Sequence, residues 1–129
     1  MARLAPYFPG IGAPWTSQTP LPGGDCGADG PDGLISALAA ERPALSVAYL
    51  RRLVARHGSD ADAVLGDART MRDLGAAIGG SLYAREVAFL AREEWAREPD
   101  DVLWRRTRTG VWLAPEERIE AAAKIAALL

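Results

Sequence analysis

The residues best equipped for chemistry crowd into one stretch, Glu86 to Arg108, which reads EVAFLAREEWAREPDDVLWRRTR. Glu86, Glu93 and Glu94, with Asp100 and Asp101 downstream, could converge on a divalent cation, since glutamates near helical spacing can share one ion. That reading is a small carboxylate-metal enzyme. It lacks the Glu-x-x-His partner such sites use, and Arg105 and Arg106 stand where a second pair of ligands is needed. A buried ion-pair network of Glu86 and Glu94 with Arg105 and Arg106 accounts for the same residues more simply. Arg105, Arg106 and Arg108 could equally meet phosphates, but the acidic residues just upstream give them partners within the chain.

Other reactive groups are sparse. His57 is the sole histidine and precedes Gly58, so its expected role is to meet the last carbonyls of a helix. Ser36, Ser46, Ser59 and Ser81 have no evident His–Asp partners for nucleophilic catalysis. Cys26 is the sole cysteine, which rules out an internal disulfide and fits a reducing cytosol. There is no GxxxxGK[ST] and no GxGxxG after a strand; Gly10-Ile11-Gly12 is a weak echo of the latter. Asp25 after Gly23-Gly24 reads as part of a tight turn set by Pro20 and Pro22. No residue is expected to be catalytic, to hold a cofactor or to ligate a metal.

The elements that position the acidic stretch follow from periodicity. If Tyr83 to Trp95 is one helix, Tyr83, Val87, Leu90 and Ala91 form an apolar stripe, and Glu94 falls on it. Burial of that carboxylate costs roughly several kcal/mol unless cations and hydrogen bonds compensate it. Pro99 blocks helical continuation, so a corner at Glu98-Pro99 would fold Arg105 and Arg106 back toward Glu94, with Asp100 or Asp101 accepting from free backbone N–H groups.

Residues 1–33 are crowded with proline and glycine and should form an extended arm. Tyr7, Phe8, Ile11 and Trp15 are too many large apolar groups for a mere solvated linker, so they should dock on this domain or on a neighbour. Residues 34–129 read as an all-α bundle of about five to six short helices. The first spans Leu34 to Ala40. Ser46 opens the second, buries Leu50, Leu53, Val54 and Val47, and stops at Gly58; a third reaches Leu65 and stops at Gly66. Arg69 to Leu82, with Gly75, Gly79 and Gly80, should be a short turn and a loop. A last helix from Pro115 should bury Ile119, Ala122, Ala123 and Ala126.

The chain has 129 residues and a formal net charge of -2, enough for one core and with no general attraction to nucleic acid or an anionic membrane. No apolar run approaches the about 20 residues of a bilayer span, and Pro6 and Pro9 come too soon for a signal peptide. A freestanding protein-interaction module, using the aromatic arm and Trp112, fits this composition too.

At LPGGD (Leu21 to Asp25), LRRLVARHG (Leu50 to Gly58), DLG (Asp73 to Gly75), EVAFLAREEWA (Glu86 to Ala96) and DDVLWRRTRTG (Asp100 to Gly110), the sequence resembles the C-terminal helical domain of bacterial FAD-dependent, quinone-linked aerobic glycerol-3-phosphate dehydrogenases. The resemblance runs in the same order through nearly the whole chain. It implies that residues 1–33 are the connection from a flavin domain and that 34–129 are a non-catalytic helical cap. The full-length enzymes of that family oxidise sn-glycerol 3-phosphate to dihydroxyacetone phosphate with electrons passed to quinone. FAD would then belong to the parent enzyme and no cofactor to this fragment. The implied partner is the N-terminal flavin and substrate domain, and a homodimer stays open; nucleic acid and direct membrane insertion are not implied. The fragment would be cytoplasmic, its parent peripheral on the inner face of the cytoplasmic membrane.

Overall fold

The computed structural model describes residues 5–8, 10, 12 and 15–129. Short turns at Ala5–Tyr7 and Thr16–Gln18 are the regular structure described in the arm. Tyr7, Phe8 and Trp15 are all exposed, while Ile11 lies outside the described residues. Helix α1 spans Gly30–Glu41, so helical structure begins inside the arm expected for residues 1–33. Pro31 in its first turn costs no hydrogen bond, and Pro43 forbids continuation beyond Arg42.

Helix α2, Val47–His57, has Ser46 at its N-cap and buries Tyr49, Leu50, Leu53, Val54 and His57. Val47, expected inside, is about half exposed because it sits in the first turn, at the rim of the core. Gly58 takes a φ of +57° and turns the chain into the five-residue α3, Ala61–Leu65, which Gly66 ends. Arg42 is buried at the end of α1 and ties it to this region, its Nη2 donating to Asp62 Oδ1 at 2.7 Å and to the Gly66 carbonyl at 3.3 Å.

The segment from Arg69 forms the expected turn, at Met71–Leu74, and then a small hairpin, β1 Ala77–Gly79 with β2 Leu82–Tyr83, paired antiparallel. The hairpin departs from the expected loop. It carries no alternating β-branched run; Gly79, Gly80 and Ser81 all have positive φ and form its tip. Helix α4 is Ala84–Glu93 and buries Glu86, Val87, Phe89 and Leu90. After it, Glu94 N and Ala96 N both donate to the Leu90 carbonyl while Trp95 takes a φ of +58°, so the chain reverses earlier than expected.

The corner at Glu98-Pro99 is present. Asp101 accepts from the N–H groups of Arg97 and Glu98 at 2.9 and 3.2 Å, and the chain then continues as a π-helical segment, Asp101–Arg106. Its end is held twice at the Val102 carbonyl, by Thr107 N at 3.1 Å and by Thr107 Oγ1 at 2.7 Å. Helix α5, Pro115–Ala126, opens with Glu117 accepting from Ala114 N at 2.8 Å. It buries Ala121 and Ile125 rather than the expected face, and Ile119 is 73% exposed. In a helix with alanine on every side the period is low in contrast, and rotation is set by Arg118, which donates to the Leu113 carbonyl and stacks over Trp104. Leu50, Leu53, Leu65, Leu74, Leu82, Leu90 and Leu103 from these elements meet in one core. Five α-helices stand among the described residues, and no helix there is long and apolar enough to cross a membrane.

The LPGGD turn is fastened to the end of α2. Ser59 N donates to the Gly23 carbonyl at 2.9 Å, and a side chain on Gly58 would overlap that same carbonyl. Gly58→Ala therefore combines a left-handed backbone with a clash and should lower stability by at least about 1–3 kcal/mol. Gly27→Ala, with equally positive φ but open space around it, should lose only about 1 kcal/mol. Urea unfolding midpoints of the two variants provide the check.

Candidate functional site

Helix α4 starts at Ala84, so its third residue, Glu86, points inward beside Val87 and meets the last turn of α2. Its carboxylate is wholly buried. Oε1 accepts from Arg56 Nε at 2.7 Å and lies 2.8 Å from His57 Nε2, while Oε2 accepts from Arg56 Nη2 at 2.7 Å. A carboxylate held by both guanidinium nitrogens is a forked, charge-assisted pair. Such an acceptor requires the imidazole proton on Nε2, which leaves Nδ1 turned toward Glu94 Oε1 at 3.8 Å. Arg56 also reaches the hairpin tip, donating to Ser81 Oγ at 3.4 Å and to the Ser81 carbonyl at 3.3 Å. His57 stands edge-on to Phe89, with ring centroids 5.7 Å apart. Tyr49 is buried one α2 face away, edge-on to Tyr83; burial pushes its phenol above the usual range, and the nearby Glu86 carboxylate adds to this.

The expected network of Glu86, Glu94, Arg105 and Arg106 is thus not one assembly. Glu94 is the C-cap residue, its side chain 38% exposed, because α4 has already ended and Trp95 reverses the chain. Arg106 folds back as expected, yet its main acceptor is the Glu94 carbonyl, at 3.1 and 2.9 Å, with the carboxylate at 3.6 Å. Arg105 turns away and pairs with Asp101 and Glu98. The cation of the buried carboxylate is Arg56, which sequence reasoning missed. For the carboxylate, though not for its cation, a signal existed: Glu86, Leu90 and Glu94 lie on one stripe, and either end could be the buried one. His57 departs from its expected role too, bonding a carboxylate instead of helix carbonyls.

Beside this network lies an open groove of about 570 Å³, lined by Pro22, His57, Asp60, Phe89, Arg92 and Glu94. A histidine backed by a carboxylate can in general act as a base. Here its Nε2 is occupied by Glu86, and the Ser81 hydroxyl is engaged by Arg56. Glu93, at the end of α4, is half exposed, pairs with Arg92 at 2.6 Å and lines the same groove. Among the described residues no three His, Cys, Asp or Glu side chains are grouped to hold a metal ion. The arrangement fastens α2, α4 and the hairpin together.

Residues 14–129 match the family model described as the C-terminal domain of alpha-glycerophosphate oxidase. The chain belongs to this family. The aerobic glycerol-3-phosphate dehydrogenase of Escherichia coli (strain K12) is 37% identical over 118 residues, which are 92% of this chain and 23% of that protein. The glycerol-3-phosphate dehydrogenase of Pseudomonas tolaasii is 38% identical over 125 residues, 92% of this chain and 23% of its own length. The D-erythritol 1-phosphate dehydrogenase of Brucella abortus (strain 2308) is 30% identical over 118 residues, with 92% and 24% covered. The chain therefore spans about a quarter of the length of these dehydrogenases.

Two measurements follow from the family domain's geometry. Glu86→Ala strands Arg56 and His57 in the core and should lower stability by about 3–5 kcal/mol, whereas Glu94→Ala should lower it by about 0–1 kcal/mol; chemical denaturation of both variants distinguishes them. Asp101 is held near a pKa of about 2, first by the Arg97 N–H, then by Arg105 and the Glu98 N–H. A folded pKa below the ordinary 3.8 gives stabilisation that is full above that value and is lost as pH falls through about 2. Asp101→Asn should flatten the fall of the unfolding midpoint between those two pH values.

Proposed function

We propose that this chain is the non-catalytic, helical C-terminal part of an FAD-dependent dehydrogenase of phosphorylated polyols. Its complete form would oxidise sn-glycerol 3-phosphate to dihydroxyacetone phosphate and pass the electrons to quinone. The observation that carries this reading is the match of residues 14–129 to one C-terminal domain family, joined to coverage of only 23% of the Escherichia coli relative. The D-erythritol 1-phosphate relative is the less similar, at 30% identity, which favours glycerol phosphate as the substrate of the whole enzyme.

The chain's own residues do not fit the flavin. FAD is ordinarily held where a parallel strand runs through a glycine-rich turn into a helix N-terminus. The described strands form a single antiparallel hairpin, and Gly10 and Gly12 follow no described strand. Flavin and substrate chemistry are accordingly assigned to the remaining three quarters of the parent, and residues 1–33 to the connection between the two. In this reading the enzyme works in the cytoplasm, on the inner face of the membrane that contains its quinone. The groove beside His57 has no part in the reaction.

Purified alone, the chain should show no flavin absorbance and no dehydrogenase activity with either sugar phosphate. Fused in place of the matched segment of the Escherichia coli relative, it should support oxidation of sn-glycerol 3-phosphate in preference to D-erythritol 1-phosphate. Flavin bands in the isolated chain, or a fusion that folds and binds FAD but prefers the erythritol ester, would contradict the proposal.

A further inference from the structure

A second groove, of about 580 Å³, opens between α2, the hairpin tip and the loop before α5. Its lining includes Arg52, Ala55 and Arg56 from α2, Gly80, Thr109 and Trp112. Trp112 is 83% exposed and Val111 beside it 56% exposed, adjacent large apolar groups that solvent alone does not favour.

The loop presenting them is rigid. Thr109 is buried and bonded to Thr107 through their hydroxyls at 2.8 Å; Val111 N and Trp112 N close successive turns onto Arg108 and Thr109. The ring of Trp104 lies across Gly110, where a Cβ would clash, and Arg118 covers the other part of that ring. A side chain held out by so ordered a backbone loses little entropy on being covered.

The charge of the groove identifies what covers it. No carboxylate lines it, although Asp and Glu together outnumber Lys and Arg in the chain by 17 to 15. Arg56 is committed to Glu86, whereas Arg52 is exposed and has no ionic partner among the described residues. An apolar ring beside an unpaired guanidinium fits a segment that brings a carboxylate next to an aliphatic or aromatic side chain.

We propose that Trp112 and Arg52 form the docking surface for an acidic segment of the parent's catalytic body, with Trp112 as its buried anchor and Arg52 as its charge partner. The inference rests on the proposed function, since about three quarters of the relatives' length lies outside this chain. It adds the face by which the two parts meet.

The test uses the fusion to the body of the Escherichia coli relative, with hydroxyl-radical labelling of tryptophans read by mass spectrometry. Labelling of Trp112 should fall several-fold in the fusion relative to the free chain. Arg52→Glu in the fusion should restore it toward the free level and Arg52→Lys should not, while circular dichroism of both free variants stays unchanged. Equal labelling of Trp112 in fusion and free chain, with another face protected, would refute this surface and leave the proposed function standing. Protection of no face at all would remove both. Protection already present in the free chain and lost on dilution would assign the surface to a second copy and overturn the proposal.

Discussion

A carboxylate taken fully out of water organises this domain. Glu86 can be buried because Arg56 offers it two parallel hydrogen bonds and His57 a third, so that the cost of dehydrating the charge is met within the core. The arrangement demands that the last turn of α2, the first turn of α4 and the tip of the hairpin lie within one side chain's reach. Arg56 touches all three. Apolar packing of Leu50, Leu53, Leu82 and Leu90 supplies the bulk of the core, but it is non-directional; the ion pair selects one register among the ways those leucines could meet.

The same requirement explains features at the margins. Because α2 must end with His57 facing inward, the chain leaves it abruptly through Gly58, and the LPGGD turn seats its Gly23 carbonyl in the space a side chain would have taken. At the other end of α4, Trp95 reverses the chain and Arg106 donates to the freed Glu94 carbonyl. Of the motifs of the family resemblance, LRRLVARHG and EVAFLAREEWA thus meet around one charge, and LPGGD fastens onto the end of the first of them. In the fold these segments fasten α2, α4 and the turns around them to one another.

Much of this was legible in the residues. The helix stops at Gly58 and Gly66, the corner at Pro99, the first turn of α5 and the presence of a buried glutamate with an arginine all follow from backbone restrictions and dehydration cost. Which glutamate was not legible, since Glu86 and Glu94 share one stripe and only the early end of α4, fixed by tertiary contacts, decides between them. Arg56 was missed for a related reason: pairs thirty residues apart leave no periodic trace. The hairpin carries too few residues to alternate, and the rotation of α5 is hidden by alanine on every face. The family itself was readable from the ordered motifs, and the match over residues 14–129 bears it out.

The central claim is that Arg56 and Glu86 stabilise the domain as a pair rather than as separate contacts. A double-mutant cycle with Arg56→Met and Glu86→Met, followed by urea unfolding, measures that coupling directly. The account predicts that each single variant is strongly destabilised and that the double variant recovers most of the loss, because neither charge is then left alone in the core. Losses that simply add would contradict it.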